Sequence, residues 1–209
     1  MSTEEQMMGI QITERGGSVD ENQIHHAIEQ AYQLIVEAHR NMTDIWRTHV
    51  LFTRQWWFGI GLSICPWLFW IGFRDKRATG HFLLSGFTMI IVSSWLDQLD
   101  IAMGLWHYHW EVIPFMPANF PWNFSLLPVT VMFLHQYKSG IHPLFKALLF
   151  GGFSAFVAEP VSQMADLYHP VHWKHTYSFP IYVGLYLLAS SIAKKGIDCG
   201  KSFQEDSNP

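Results

Sequence analysis

The chain has 209 residues, of which 49% are hydrophobic, 16% aromatic and only 14% charged, with a formal net charge of −4. That balance points to lipid as the main solvent, and the lack of a basic cluster large enough to face phosphates excludes nucleic acid as a partner. Cys65 lies in an apolar run and Cys199 in a polar tail, on different sides of a bilayer, so a disulfide scaffold and zinc-finger spacing are both excluded.

Residues 1–17 are polar, carry the Gly16-Gly17 pair and show no apolar period, which reads as a flexible tail. This acidic start lacks the basic and apolar regions of a secretory signal. Ser18 followed by Glu21 has the form of a capping box and opens an N-terminal helix over 18–55. Ile24, Ile28, Ala31, Ile35, Ala38, Met42, Ile45, His49 and Phe52 then follow alternating four- and three-residue steps, a heptad seam. The seam suits a homo-oligomer, or else the apolar face of an amphipathic helix lying on the membrane or on its own bundle. No Gly or Pro interrupts residues 20–58, so this helix is expected to run straight into the first span.

Trp56 to Phe73 is an uncharged run close to the roughly 20 residues that cross a hydrocarbon core. Pro66 is expected to kink it. Arg74-Asp75-Lys76-Arg77 follows, the densest basic cluster, and the positive-inside bias places that loop in the cytoplasm. Further spans are expected over about 81–100, 124–137, 142–161 and 179–193, giving an all-α, polytopic bundle over 56–195 and a polar cytoplasmic tail over 196–209. Five spans put the N-terminus outside. The third is short, roughly 21 Å at 1.5 Å per residue, so either the Pro-rich connector before it dips into the outer leaflet against protein or the span begins nearer Asn119.

Chemistry concentrates on the outward side. Asp97, Asp100 and Glu111 come from one connector region, and Glu159 and Asp166 from the other; these five are the candidates for binding a ligand or ion. Asp97 and Asp100, three apart, share a helix face, and Glu159 lies in a span with Pro160 directly after it. The plain alternative is that the aspartates mark the wet end of a helix. His107, His109, His169 and His172 are the candidate metal ligands, against the reading of Trp-His-Tyr-His-Trp as an interfacial aromatic belt. No cofactor signature is present.

The Ser-Ser-Trp-Leu-Asp helix end, Gly104, Trp106-His-Tyr108, Pro114, Pro117, Leu127-Pro128, Gln136-Tyr137, Glu159 and Trp173-Lys174 ahead of Tyr177-Ser178 together resemble an uncharacterised family of small polytopic membrane proteins of endospore-forming Gram-positive bacteria. The likeness covers roughly residues 56–195 and implies a cell-membrane location and about five helices, but no activity. Asn123 stands where that pattern suggests an acidic residue. Three functions are open: a structural or interaction component of the membrane, a proton or small-cation carrier using the acidic and histidine cluster, and an intramembrane enzyme acting on a lipid or isoprenoid. Of these the first is favoured. An echo between LDQLDIAMGLWHYHW and AEPVSQMADLYHPVHW suggests two halves of one site meeting on the outer face.

Overall fold

The structure, a computed structural model, describes residues 21–116, 118–137 and 140–206, with side-chain surroundings up to residue 196. The tail over 1–17, the capping residue Ser18, Pro117 and the Cys199 side chain lie outside what is described. Two units are present, one ending at Ile45 and one beginning at Trp46. Among its described residues the first contains one helix, α1 (Glu21–Ile45), on which no residue is buried. Its seam residues Ile24, Ile28, Ile35, Met42 and Ile45 are all exposed.

The second unit starts with a π turn, Trp46–Val50, and then breaks. The expectation of an unbroken helix through residue 58 is therefore corrected: Phe52 is left-handed at φ 62° and α2 (Arg54–Phe73) begins afresh. Thr53 explains the break. Its hydroxyl donates to the Val50 carbonyl at 2.7 Å and accepts the Trp56 amide at 3.3 Å, so it caps α2, a contact of about 1 kcal/mol. The Phe52 ring packs edge-on against Trp56 at 5.3 Å, which offsets the roughly 1–2 kcal/mol of left-handed backbone.

After α2 come α3 (Thr79–Ala102), a π turn (Trp122–Leu126) leading into α4 (Leu127–Gln136), and α5 (Pro143–Phe153). A second π turn (Ser154–Ala158), α6 (Glu159–Met164) and α7 (His175–Asp206) complete the bundle. Four helical stretches are long and apolar enough to cross a membrane: Arg54–Phe73, Thr79–Ala102, Pro143–Met164 and His175–Gly196. Large apolar side chains such as Phe69, Phe87, Ile91 and Trp95 point outward from them, the arrangement of a multi-pass membrane protein. α7 runs on to Asp206, through the segment read as a tail.

The short third helix has a local cause. Helical residues run over 120–136, about 26 Å at 1.5 Å each, and the connector before them packs on protein. Val112 and Ala118 are buried, and a Cβ on Gly59 would lie 2.8 Å from Val112 Cγ2, so only glycine admits the connector at that depth of α2. Pro128 carries no N–H, which frees the Phe124 carbonyl; the Trp67 indole donates to it at 2.8 Å. α4 is thus enclosed, with Leu127, Val129, Val131 and Met132 buried.

The core is centred on Met89 of α3, Val131 of α4, Phe150 of α5 and Tyr186 and Ala189 of α7. α5 and α7 meet closely at Gly151, where a Cβ would come within 2.7 Å of Val183. The two ends of this unit differ. At one, Arg74, Lys76 and Arg77 surround a loop in which Gln136 donates to the Phe73 carbonyl. The Lys146 ammonium there caps the end of α4 through the Leu134 and Tyr137 carbonyls at 2.6 and 2.8 Å. The other end holds the acids.

Candidate functional site

At the acidic end the connector after α3 and the connector after α6 pair as two short antiparallel strands, β1 (Trp106–His107) and β2 (His169–Pro170), with Trp106 opposite Pro170 and His107 opposite His169. Gly104 makes the turn into β1 at φ 69°. The sequence echo between the two connectors is thus a physical pairing. Beneath it lies a cavity of about 100 Å³. Helix periodicity builds its walls: Ser93, Leu96, Asp97 and Asp100 form one face of α3, Glu159 and Ser162 one face of α6, and Ser178, Ile181, Tyr182 and Leu185 one face of α7.

Asp97 is 5% exposed, and each of its oxygens accepts twice. Oδ1 takes the Trp106 indole N–H at 2.9 Å and the Tyr108 hydroxyl at 2.8 Å. Oδ2 takes the Asn119 amide at 2.9 Å and the Asn123 side-chain amide at 2.6 Å. An aspartate at a helix centre costs about 3 kcal/mol to insert, whereas hydrogen bonds to a charged group are each worth roughly 1.5–3 kcal/mol. Four of them outweigh the insertion cost. Asp97 therefore pins β1 and the segment leading into α4 to α3, with no lone pair left for a ligand. Asn123 serves here because it can donate; a carboxylate at that position would face another.

Glu159 is 7% exposed and is held by α7. Its Oε2 accepts from His175 Nδ1 at 2.8 Å and from the Ser178 hydroxyl at 2.9 Å, and its Oε1 from the Tyr182 hydroxyl at 2.9 Å. Relays extend outward from these donors. The Trp173 indole donates to Ser178 and the Trp122 indole to Tyr182, while Gln163 lies 3.0 Å from His175 Nε2.

Asp100 is different again. It lines the cavity, is half-buried, and its carboxylate has no hydrogen-bond partner among the described residues. Of the five acids singled out from sequence, then, Asp97, Asp100 and Glu159 share one cavity, while Glu111 and Asp166 do not line it. Burial, with the Asp97 charge adding, pushes the Glu111 carboxyl up to about 8. Asp166 sits outside in left-handed backbone at φ 57°, where hydrogen bonds from His109 and Trp110 hold its carboxyl below the usual range.

His107, His109 and His169 meet over the strand pair, with ring centroids 4.9 to 5.3 Å apart. Burial and the two neighbouring rings lower the His107 pKa. His172 is not part of this contact; its backbone amide donates to the Leu105 carbonyl. Among the described residues no group of three or more His, Cys, Asp or Glu side chains is placed to hold a metal ion, so the expectation of a histidine metal site gains no support from the geometry.

Sequence reasoning missed the donors. Trp106 and Tyr108 read as an interfacial belt, yet both turn inward to Asp97. Burial and the Asp97 charge keep the Tyr108 phenol well above its ordinary range, hence a donor. The available signal was the Ser178, Tyr182, Leu185 stripe, polar residues at core-facing helical spacing. Searches against family models, curated proteins and solved structures find no match to this chain.

Proposed function

We propose that this protein is a small-cation carrier of the cell membrane, the second of the three functions open from sequence, and that it binds its cation between the two connectors. One observation carries this reading: acids 62 positions apart in the chain, Asp97 and Glu159, line one cavity together with Asp100, and no Lys, Arg or His among the described residues lines it. A purely structural component has no need of an unpartnered carboxylate facing such a space. A cavity of about 100 Å³ is well below the roughly 300 Å³ at which drug-sized sites begin, which weighs against an isoprenoid chain as substrate.

The resemblance to small membrane proteins of endospore-forming bacteria supports the cell-membrane location. The basic loop at residues 74–77 supports a cytoplasmic placing of that end and an outward cavity. The exposed seam of α1 supports pairing with a second copy of the chain, and cross-linking in membranes that yields only monomer removes that part. The carrier reading is tested in reconstituted vesicles with an imposed gradient of Na⁺, K⁺ or tetramethylammonium. At least one gradient should collapse faster than in protein-free vesicles, and Glu159→Gln should slow it. Traces matching protein-free vesicles for every cation contradict the reading.

A further inference from the structure

Three features of the cavity bear on what it holds. Its walls are aromatic: four tryptophans, Trp106, Trp110, Trp122 and Trp173, line it together with Tyr168. Trp106 lies edge-on to both Tyr168 and Trp173, at 5.9 and 5.1 Å, so three of these rings form one contiguous aromatic wall. Its polar groups are uneven. Asp97 is saturated and Glu159 takes three donors, but Asp100 takes none. Ser93 is only 4% exposed, lines the cavity and has a hydroxyl without a partner among the described residues. Ser93 and Asp100 lie two turns apart on one face of α3, and a buried unpaired hydroxyl is costly unless a ligand completes it.

Resting on the carrier reading, we infer that the cation is a compact organic ammonium ion, with Asp100 as its counter-ion and the tryptophan and tyrosine rings as its cage. Tryptophan faces attract alkylammonium groups most strongly among the aromatic side chains, and desolvation strengthens the contact. A hydrated metal ion gains less, because it needs converging oxygen ligands, and Asp97 has no free lone pairs to give. The small volume selects an ammonium carrying a few carbons. Ser93 supplies a hydroxyl to a ligand N–H where the ammonium bears one.

Tryptophan fluorescence of the full chain in detergent, titrated with tetramethylammonium chloride against NaCl, KCl and the neutral isostere tert-butanol, reads this directly. Tetramethylammonium should give a saturable change that neither the alkali salts nor tert-butanol reproduce. Asp100→Asn should weaken it tenfold or more; that side chain makes no hydrogen bond, and an unchanged unfolding midpoint shows the variant folded. Tyr168→Leu should weaken binding several-fold while Tyr168→Phe retains it, since the ring and not the hydroxyl forms the wall. Equal binding of tert-butanol, or full binding by Asp100→Asn, overturns the assignment. If Na⁺ or K⁺ is bound or carried and tetramethylammonium is not, the ammonium inference falls and the carrier stands. If no cation is bound or carried, both fall.

Discussion

Asp97, near the end of α3, and Glu159, at the start of α6, line the same cavity, yet they are held in contrasting ways. Asp97 is gripped by four donors, two from its own connector and two from the segment leading into α4. Glu159 has three, all from α7, and one of them is an ionisable imidazole. The first arrangement is a fixed joint between three segments. The second leaves one carboxylate lone pair unused on a residue that lines the cavity, with an imidazole behind it. The contrast shows how one buried acid becomes architecture while its counterpart stays available for chemistry.

The sharpest way to break this contrast is to replace each carboxylate by its amide. Asp97→Asn turns an NH₂ toward two donors, so thermal unfolding in detergent should show a loss of about 3–5 kcal/mol. Glu159→Gln should cost less, about 1–3 kcal/mol, while impairing cation flux more than stability. Equal losses in the two variants would erase the distinction.

A smaller effect sharpens the Asp97 side. Asn123→Asp sets a second carboxyl 2.6 Å from Asp97 Oδ2 and should destabilise by roughly 2–4 kcal/mol. Combining it with Asp97→Asn restores one donor–acceptor pair. The double variant should therefore be more stable than additivity predicts, by about 1 kcal/mol. Strict additivity would mean that Asn123 does not act through Asp97.

Much of the fold was legible in the chain. Long apolar runs mark the four stretches able to cross a membrane, whereas the expected span over 124–137 is a shorter, enclosed helix, and the basic loop at residues 74–77 marks one end. Asp97 and Glu159 stood out because acids at such depth need partners. The rest was hidden for physical reasons. The break at Phe52 uses left-handed backbone on a bulky residue, held by Thr53 and an aromatic contact, with no Gly or Pro to announce it. The Asn119 donor is a backbone amide, which no side-chain pattern reveals. For Asp100 the sequence leaves two readings open, ligand-binding acid and wet end of a helix, and its place on the cavity wall beside a saturated neighbour shows only in the structure.

The smallest expected effect lies beside the site. The Glu111 carboxyl is raised from 4.5 to about 8, so the folded chain holds that proton more tightly than the unfolded one. Its contribution is fully present below pH 4.5 and is lost as pH rises through about 8. Glu111→Gln should flatten the fall in unfolding midpoint across that window. A variant with the same pH slope as the parent would show that the carboxyl is not buried.

The central claim is that two distant connectors close over one cavity, and a disulfide across β1 and β2 tests it most directly. His107 and His169 are directly opposed, and Cα atoms of paired residues in antiparallel strands lie about 4.5–5.5 Å apart, within reach of a disulfide. His107→Cys with His169→Cys, in a chain with Cys65 and Cys199 replaced by alanine, should form an intramolecular bond under mild oxidation. Oxidation should also slow access of tetramethylammonium to the tryptophans. Cysteines that stay reduced, or that pair only between molecules, would contradict the account.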